Sequence, residues 1–432
     1  MRVLVLGSGG REHALARALA RDPAVTDLHA APGNPGIAEV ATLHEVTATD
    51  PAAVAALSAR IAAGLVVIGP EAPLVAGVAD ALRAAGLRCF GPDQAAAMIE
   101  GSKSFAKQVM TSARVPTAAA RTCGTPAEIA AALDEFGPPY VVKADGLAAG
   151  KGVVVTADRA EAVQHALACG IVVVEEFLDG PEVSVFALAD GATAVPLQPA
   201  QDYKRAHDGN VGPNTGGMGA YTPLDWAPED LAGQTLDTVV MPTLAELARR
   251  GTPYSGVLYV GLCLTKRGLR VVEFNARFGD PETQVLLDRL GTPLAGLLAA
   301  CADGDLASAP ALDWLPGAAV TVVIAAEGYP AAPVGGAAIG GLAEAGSVPG
   351  AYVLQAGTAL AHQGNDPGAA GNGSSGRLTA AGGRVLNVVG SGPGIAAARA
   401  SAYQAAALIT MPGGWYRSDI AAEPAPRTAA GR

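Results

Sequence analysis

The segment Val271-Val-Glu-Phe-Asn-Ala-Arg-Phe-Gly-Asp-Pro-Glu-Thr-Gln284 places carboxylates, amides and a guanidinium directly after an apolar, strand-like run. Strand alternation predicts that Glu273 and Asn275 share one face with the preceding Val271, and that Phe274 points to the other face. A carboxylate and an amide oxygen are ligands that Mg²⁺ accepts, usually together with substrate phosphates. The alternative is a strand end that is polar only because it faces solvent. The rest of the chain must decide between these two interpretations.

Length and composition limit the classes of protein that fit. The 432 residues predict about three domains, since a domain takes roughly 150 residues. Only 4% of the residues are aromatic, which argues against the base-stacking surfaces of nucleic-acid binders. A formal net charge of -11 repels polyanions in bulk, so no nucleic-acid partner is expected and any phosphate site must be local.

The cysteines and the hydropathy pattern predict a location. The five cysteines show no metal-ligand spacing and are expected to be free thiols in a reducing compartment. No run reaches the roughly 18 apolar residues of a membrane-spanning helix, and the first residues follow a strand pattern instead of a secretion signal. We therefore expect a cytoplasmic protein without a membrane partner.

The first hundred residues alternate short apolar runs with amphipathic stretches, which is the pattern of a parallel sheet with crossover helices. Strands are expected at 3–6, 65–68 and 87–90, and helices at 12–20 and 74–85.

The first predicted strand-to-helix turn, Gly7-Ser-Gly-Gly-Arg-Glu-His13, has Glu12 where a dinucleotide-binding fingerprint needs a third small residue. We interpret the turn as an anion site at a helix start, with Arg11 nearby, and the alternative is a tight structural turn. Asn34-Pro-Gly36 and Gly69-Pro-Glu71 are predicted to meet it at the same strand-end crevice.

A glycine-rich loop is predicted between two strands in Tyr140-Val-Val-Lys-Ala-Asp-Gly-Leu-Ala-Ala-Gly-Lys-Gly-Val153. It is not a Walker A motif, because its Gly-Lys is followed by Gly and its flanking elements are strands. A flexible flap with Lys151 at its tip can close over nucleotide phosphates, and the alternative is a plain glycine hairpin. Before it, residues 102–115 predict a helix with Lys103 and Lys107 on one face.

Further segments predict the walls of a nucleotide site. The apolar run 172–178 leads into an acidic connector that suits adenine and ribose recognition. Segments 199–205 and 212–219 are too long and too polar for hairpins and predict loops that line a site. Helices are then expected at 283–290 and 292–303.

The last part of the chain, from about residue 311, begins with a predicted strand at 318–324. The Gly/Ser-rich segment 364–376 predicts a mobile loop from its composition.

Taken together, these motifs resemble the phosphoribosylamine–glycine ligase family of ATP-grasp enzymes. The resemblance covers nearly the whole chain and is carried by Lys143, Gly146–Gly152, Glu175–Leu178, Asn214–Met218, Arg277–Glu282, Gly382–Asn387 and Tyr416–Ile420. It implies an α/β fold in three parts: an N-terminal doubly wound (pre-ATP-grasp) domain over 1–101, an ATP-grasp domain over 102–310 with an inserted flap subdomain at about 116–178, and a C-terminal α/β domain over 311–432.

The resemblance also implies a reaction of purine biosynthesis, in which glycine is joined to 5-phosphoribosylamine while ATP becomes ADP and phosphate. The glycine carboxylate attacks the γ-phosphoryl group, and the ribosyl amine then displaces phosphate from glycyl phosphate. Such phosphoryl transfer needs positioning and charge neutralisation and no protein nucleophile. A monomer is expected, with at most transient contacts to neighbouring pathway enzymes.

Site residues are implied by the same resemblance. Glu273 and Asn275 would hold Mg²⁺ or Mn²⁺, and catalysis would involve Arg277, Asp280 and Lys151. The ATP contacts would be Lys103, Lys143, Gly150, Lys151, Glu175, Leu178 and Glu182. The other substrates would be held by Gly9, Gly10, Arg11, Asn34, Glu71, Asp202, Lys204, Asn214, Thr215, Gly216 and Arg277. For Arg277 the alternative is a structural salt bridge, and for Asp280 it is a turn or a helix cap.

Three features depart from the family pattern. Asn210 stands where the family commonly has Asp, the segment 157–172 is short, and the segment 364–376 looks like an insertion. The rival interpretations are another ATP-grasp ligase with different substrates, an NAD(P)-linked oxidoreductase that uses the first turn, and a nucleotide-binding regulator without turnover.

Overall fold

The structure, a computed structural model, describes residues 1–147, 152–361 and 376–422. Gly150, Lys151 and nearly all of the predicted mobile loop 364–376 lie outside these ranges, so the predictions made for them are not tested here.

The N-terminal part is a parallel sheet covered on both faces. Its strands are Arg2–Gly7 (β1), Asp27–Pro32 (β2), Thr42–Leu43 (β3), Leu65–Ile68 (β4) and Cys89–Phe90 (β5). They lie in the order β3-β2-β1-β4-β5, so the winding reverses at β1 and the doubly wound prediction is confirmed. Val3 and Val5 enter one hydrophobic cluster and Leu4 and Leu6 another, which explains the unbroken apolar run of β1.

The helices of this part are Gly10–Ala20 (α1), Pro51–Arg60 (α2), Glu71–Val75 (α3), Val78–Ala84 (α4) and Gln94–Gly101 (α5), with a short 3₁₀ turn at Ile37–Glu39. The single helix predicted over 74–85 is wrong, because the chain breaks between α3 and α4 at Gly77. Gly77 has a φ of 84°, which places it in the left-handed region that favours glycine and interrupts a continuous helix.

A helix, Lys103–Ala113 (α6), begins the next part after Ser102, whose hydroxyl accepts a hydrogen bond from the Phe105 N–H. An antiparallel sheet follows with strands Ala120–Cys123 (β6), Tyr140–Ala144 (β7), Val153–Thr156 (β8) and Val172–Glu175 (β9), in the order β6-β9-β7-β8. Helices Pro126–Phe136 (α7) and Arg159–Cys169 (α8) cover it and share its small core. The predicted strands that flank the glycine-rich flap are therefore present as β7 and β8.

The central part is built from long antiparallel strands. Its strands are Glu182–Asp190 (β10), Ala194–Pro196 (β11), Gln201–Asp202 (β12), Arg205–His207 (β13), Val211–Asn214 (β14), Gly219–Thr222 (β15), Ser255–Thr265 (β16) and Gly268–Asn275 (β17). Its helices are Leu231–Thr235 (α9), a π-helical segment Leu236–Val240, Met241–Arg249 (α10), Glu282–Arg289 (α11) and Leu294–Asp303 (α12), then a 3₁₀ turn at Leu306–Ser308. One sheet has the order β11-β10-β16-β17, and β13 pairs with β14 as a separate hairpin.

The C-terminal part contains Ala318–Ala325 (β18), Leu342–Gly346 (α13), Ala351–Gln355 (β19), Thr358–Ala361 (β20), Arg377–Ala380 (β21), Arg384–Gly392 (β22) and Ile395–Ala406 (α14). Its main sheet has the order β12-β15-β18-β22-β19 and so includes two strands of the central part. The predicted domain limits remain a prediction. The shared sheet crosses the predicted limit at 310/311, because β18 of the C-terminal part pairs with β15 of the central part.

Two predictions about the central part are wrong. Val271 does not share a face with Glu273, because a β-bulge shifts the register between β16 and β17 and sends Val271 into the same core cluster as Phe274. The segments 199–205 and 212–219 are not plain loops, because they contribute to β12, β13, β14 and β15 and thereby form a hairpin and a sheet edge.

Candidate active site

A cleft opens between the flap sheet and strand β17. It contains about 770 Å³ of space, part of it open to solvent, which is the size of a nucleotide-scale pocket. Its charged and amide lining comes from Glu71, Glu100, Lys103, Lys107, Lys143, Glu175, Glu273, Asn275 and Arg277. The cleft thus brings together residues from the ends of the N-terminal helices, from the flap strands, and from the end of β17 with the residues directly after it.

Strand β17 places Glu273 and Asn275 on the cleft face, as predicted. The Glu273 carboxylate lies 3.5 Å from the Lys204 ammonium. Burial raises the pKa of Glu273, but the charges of Lys204, Lys143 and other nearby cations outweigh it and hold that pKa below its ordinary value. The Glu273 carboxylate is therefore ionised at neutral pH.

These two residues fit a hard divalent cation. Carboxylate and amide oxygens two residues apart on one strand face offer the ligand type that Mg²⁺ and Mn²⁺ take, and such sites normally rely on substrate phosphates and water for the rest of the shell. Within the described residues no cluster of three or more His, Cys, Asp or Glu side chains forms a complete metal cage. Any metal here would have to share the site with a bound anion.

Buried lysines make one wall of the cleft positive. Lys143 lies 2.9 Å from Glu175 and also donates to the Val272 carbonyl at 2.9 Å. Lys107 lies 3.1 Å from the other oxygen of Glu175. Glu175 thus stabilises two lysines by direct ion pairing in a buried position, where unpaired charges would be costly.

Lys103 extends the positive wall toward the flap. Its ammonium donates to the Gly146 carbonyl at 2.9 Å, at the point where the glycine-rich segment leaves β7. Burial lowers the pKa of Lys103 and of Lys107, while the carboxylates of Glu273 and Glu175 respectively oppose that change. An anionic ligand in the cleft would favour the charged form of both.

Arg277 lies between two carboxylates. Its Nε is 3.2 Å from Glu71 and its Nη2 is 3.3 Å from Glu100, and Nη2 also donates to the Asn275 side-chain oxygen at 3.1 Å. Although burial lowers the pKa of Arg277, Glu100 and Glu71 raise it well above its ordinary value. Arg277 therefore forms the salt bridges that the alternative interpretation predicted, and it also lines the cleft.

The two carboxylates that flank Arg277 differ in the direction of their pKa shifts. Burial raises the pKa of Glu100 despite the charge of Arg277, whereas the charges of Arg277 and Arg11 overcome burial and lower the pKa of Glu71. Glu100 also accepts a hydrogen bond from the Ala276 N–H at 2.6 Å. It therefore holds both the backbone at Ala276 and the side chain of Arg277.

Asp280 lies outside the cleft lining and faces the first turn of the chain. A Cβ atom placed on Gly9 would be 3.7 Å from the Asp280 carboxylate. Arg384 contacts the same carboxylate at 3.0 Å, and Gln284 donates to it at 2.7 Å. Burial raises the pKa of Asp280, but the Arg384 and Arg11 guanidinium groups hold it below its ordinary value.

The Glu12 side chain of the first turn binds one of the backbone N–H donors of that turn. The Gly9 N–H donates to the Glu12 carboxylate at 2.6 Å, so Glu12 caps the backbone at the start of α1. Arg11 is buried, pairs with Glu12 and donates to the Phe278 carbonyl at 3.1 Å. An anion bound here would have to use the remaining donors of the helix start.

Gly10 and Asn34 are tied to the C-terminal part. A Cβ atom on Gly10 would lie 2.2 Å from the Asn387 side-chain nitrogen, so a larger residue there would displace the Asn387 side chain. The Asn34 amide donates to the carbonyls of Ser8 and Gln355 at 2.8 and 2.9 Å. The predicted strand-end crevice is therefore closed on one side by β19 and β22.

The remaining predicted substrate contacts surround Lys204. Lys204 lies 2.9 Å from Glu182, and burial raises the pKa of the neighbouring Asp202 to about 7, although Lys204 opposes this rise. Thr215 is buried and its hydroxyl donates to the Lys204 carbonyl at 2.9 Å. The contact between Lys204 and Glu273 connects this group to the cleft.

Comparison with known families accounts for this arrangement. The chain matches the models of phosphoribosylglycinamide synthetase over its N domain at residues 1–100, its ATP-grasp (A) domain at 101–283 and its C domain at 319–423. The chain belongs to the phosphoribosylglycinamide synthetase family. The α/β fold with an ATP-grasp domain that the sequence predicted is thereby confirmed.

Relatives of known name agree with this family. A phosphoribosylamine–glycine ligase from Streptomyces coelicolor is 59% identical over 427 residues, covering 98% of this chain and 100% of that protein. One from Leifsonia xyli is 55% identical over 426 residues, with coverage of 98% and 100%. The crystal structure of the phosphoribosylamine–glycine ligase from Thermotoga maritima has a TM-score of 0.81 at 33% identity, with coverage of 97% and 100%.

More distant structures share the fold alone. The biotin carboxylase domain of the 2-oxoglutarate carboxylase from Hydrogenobacter thermophilus has a TM-score of 0.70 at 16% identity, covering 96% of this chain and 91% of that one.

One departure from the synthetase family pattern has a local explanation. Asn210 lies in the turn between β13 and β14 with a φ of 59°, a conformation that Asn tolerates better than most residues. Its side-chain oxygen accepts a long hydrogen bond of 3.4 Å from Arg417. Asn210 therefore sits in a hairpin turn and does not line the cleft.

Sequence reasoning missed several residues of this synthetase site. Glu100, Gln284, Arg384 and Asn387 were not proposed as site residues, and Lys107 was placed beside Lys103 without a partner. Arg384 and Asn387 belong to the segment Gly382–Asn387, which carries part of the family resemblance, so the signal was present but had no assigned role. Glu100 gave no signal, because its partner Arg277 lies far along the chain.

Within the described ranges, none of the helices is both long and apolar enough to cross a membrane. The described structure contains all five cysteines as free thiols, as predicted, and burial raises the pKa of Cys89, Cys263 and Cys301 to about 12.

Proposed function

We propose that this chain joins glycine to 5-phosphoribosylamine at the expense of ATP, giving glycinamide ribonucleotide, ADP and phosphate. One observation carries the proposal: the end of β17 offers Glu273 and Asn275 to the lysine-lined cleft, and the segment after it, seven residues on from Glu273, offers Asp280 to the first turn of the chain. A single rigid segment would thus bring a nucleotide and a second substrate together. The names of the relatives identify the substrates of those proteins and support the same choice here.

The cleft suits phosphoryl transfer to a carboxylate. Lys103 and Lys143 would face the phosphates of ATP, and Arg277 would neutralise charge on the transferring group, since its guanidinium is held in place from two sides. Glu273 and Asn275 would hold Mg²⁺ or Mn²⁺, which supplies charge neutralisation between the phosphates when bound. The glycine carboxylate would attack the γ-phosphorus, forming glycyl phosphate and releasing ADP.

The second step is expected at the Asp280 side of the site. The amine of phosphoribosylamine would attack the glycyl carbonyl and expel phosphate, with loss of one proton from the amine. Asp280 is ionised and buried, so it would orient the incoming amine by accepting a hydrogen bond. Gly9, Gly10 and Arg11 would border the phosphoribosyl group at the start of α1.

The adenine and substrate-loop assignments rest on fewer contacts. Glu175 is engaged with two lysines, so its role in the nucleotide site would be to hold those lysines. Leu178 and Glu182 would border the adenine and ribose, whereas Asp202, Lys204, Asn214, Thr215 and Gly216 would border the joint substrate site. The roles of Gly150 and Lys151 in covering ATP remain predictions.

The proposal is tested by ADP release from purified protein with Mg²⁺-ATP and freshly generated phosphoribosylamine, with and without glycine, followed by mass spectrometry of the product. Glycine-dependent ADP release matched by glycinamide ribonucleotide supports the ligase. Release of ADP regardless of glycine, or none, would point to another ATP-grasp substrate or to a regulator without turnover.

A variant pair sharpens this test. Glu273→Gln should lose most turnover because the metal site loses its charged ligand, and the exposed Glu229→Gln should behave as wild type. Equal rates in both variants would contradict the assigned metal site. The cytoplasmic location, the monomeric state and the transient pathway contacts stay predictions.

A further inference from the structure

A second cavity lies at the far end of helix α1. It contains about 710 Å³ of space, part of it open to solvent, and is bordered by α1, α11, the segment 290–294 and Tyr352 of β19. Arg17 and Arg21 lie about two turns and three turns along α1 from Gly10, so the cavity is roughly 10 Å or more from the helix start that faces Asp280. The cavity is therefore distinct from the cleft, and it shares no lining residue with it.

Two arginines give this cavity its chemistry. The Arg17 guanidinium lies flat over the Tyr352 ring, 3.5 Å from the ring centroid, which fixes it at the cavity wall. Arg21 lies one turn further along the same helix. Within residues 1–147, 152–361 and 376–422, neither guanidinium makes a hydrogen bond or a salt bridge at contact distance. Burial lowers the pKa of Arg17, and the charge of the nearby Asp288 opposes that change without a direct ion pair.

The acidic residues of the cavity are already engaged elsewhere. The Asp22 carboxylate accepts hydrogen bonds from the backbone N–H groups of Ala24 and Ala295 at 2.8 and 2.7 Å. Asp288 accepts from the Ser391 hydroxyl at 2.6 Å and is hydrogen-bonded to Tyr352. Both carboxylates are therefore engaged by other hydrogen-bond donors, and the guanidinium donors of Arg17 and Arg21 remain available to a ligand.

A third observation points to a bound molecule. Gln284 lines the cavity, is fully buried and donates its amide N–H groups toward Asp280 and Asn387. Its side-chain oxygen has no hydrogen-bond partner in the described part of the chain. Buried polar atoms normally find a partner, so this acceptor is free for a hydroxyl or a water brought by a ligand.

We propose that this cavity binds a phosphate-bearing small molecule, with Arg17 and Arg21 holding the phosphate. Guanidinium groups are the side chains best suited to planar, multiple hydrogen bonding with phosphate oxygens. The cavity is several times larger than a phosphate group, so a phosphomonoester with a hydroxylated body fits it better than free phosphate. The hydroxyl would reach the unpaired Gln284 oxygen.

The test uses calorimetric titration of the full chain with glycerol 3-phosphate, inorganic phosphate and neutral glycerol. Glycerol 3-phosphate should bind and glycerol should not, and inorganic phosphate should bind more weakly if the organic body contributes. The double variant Arg17→Gln/Arg21→Gln should weaken binding by at least about tenfold, since each arginine provides a charge-assisted hydrogen bond. The matched control, Arg121→Gln/Arg159→Gln, changes two arginines on the flap surface and should bind as wild type.

Two further variants keep the proposal decisive. Arg21→Gln alone alters an exposed side chain that the fold does not need, and it should still weaken binding several-fold. Arg11→Ala changes the first turn and should leave this binding unchanged. The proposal is overturned if the double variant and Arg21→Gln both bind as wild type, if Arg11→Ala abolishes binding, or if no binding occurs at millimolar glycerol 3-phosphate. Ligase activity is measured separately, so a failure here leaves the proposed function intact.

Discussion

Arg384 holds Asp280 at two points. Its Nη2 lies 3.0 Å from the Asp280 carboxylate, and its Nη1 donates to the Asp280 backbone carbonyl at 2.6 Å. The same Nη1 donates to the Gly216 carbonyl at 2.5 Å. Strand β22 of the C-terminal part therefore positions both the residue expected to orient the amine and the loop expected to border the substrates.

Arg384→Ala should lower kcat/KM for phosphoribosylamine by about 10- to 100-fold, because the Asp280 carboxylate loses its direct ion-pair partner and the contact that positions it. The KM for ATP should change little, since Arg384 does not line the cleft. Steady-state kinetics with each substrate varied in turn measures the difference. Arg399→Ala, which removes an arginine bonded to the Ser418 and Ile420 carbonyls, serves as the control. Equal losses for both substrates would contradict a local role.

Glu100→Gln should reduce kcat on the order of tenfold, because Arg277 loses one of its two flanking charges while the Ala276 N–H keeps an acceptor. Glu135→Gln, which breaks an exposed ion pair with Arg121, should leave kcat unchanged. Comparison of kcat and of thermal unfolding separates a catalytic effect from a folding defect. A wild-type kcat in Glu100→Gln would show that Arg277 needs no support from this side.

Acid should loosen the contact between the first turn and the C-terminal part through His13. Burial lowers the pKa of His13 to about 4, and its Nδ1 accepts a hydrogen bond from the Gln355 N–H at 2.8 Å. The unfolded chain binds a proton at His13 more readily than the folded protein does. The contribution of neutral His13 to the free energy of unfolding is therefore complete above pH ~6.5. It is lost as the pH falls toward ~4, by about 3 kcal/mol in total.

Urea unfolding of wild type and His13→Gln at a series of pH values measures this effect. Gln retains an acceptor for the Gln355 N–H and does not titrate, so the variant should show a flatter dependence between pH ~4 and ~6.5. Parallel pH profiles for the two proteins would show that His13 is not the group responsible.

Gly10→Ala should destabilise the protein by about 1–3 kcal/mol, because the new methyl group would overlap the Asn387 amide. Adding Asn387→Ala should recover part of the loss, which chemical denaturation of the single and double variants would measure. Gly296→Ala is the matched control, since a Cβ at that helical position meets open space and should be neutral or stabilising. Absence of any rescue would mean that Asn387 is not the residue in conflict.

The sequence predicted the parts of the fold that depend on local pattern. Helix α11 was expected at 283–290 and is found at Glu282–Arg289, and strand β18 was expected at 318–324 and is found at Ala318–Ala325. Strand β18 was predictable because its nearly unbroken apolar run is buried along its whole length. The bulge that turns Val271 away from Glu273 depends on pairing with β16, which no local pattern encodes.

The candidate site was predictable only where its residues are close together in sequence. Glu273, Asn275, Arg277 and Asp280 come from one segment and were identified together. The residues that position them come from elsewhere: Glu100 lies at the end of α5, and Arg384 lies at the start of β22. Their roles follow from long-range packing, which only the folded structure reveals.

The central claim is that the glycine carboxylate itself attacks the γ-phosphoryl group in the cleft. Glycine labelled with ¹⁸O in its carboxylate tests this directly when the inorganic phosphate formed in the complete reaction is analysed by mass spectrometry. We expect each phosphate to carry one ¹⁸O from glycine, because the oxygen that bonds to phosphorus leaves with it when the amine attacks. Phosphate without ¹⁸O, formed together with glycinamide ribonucleotide, would rule out attack by the glycine carboxylate.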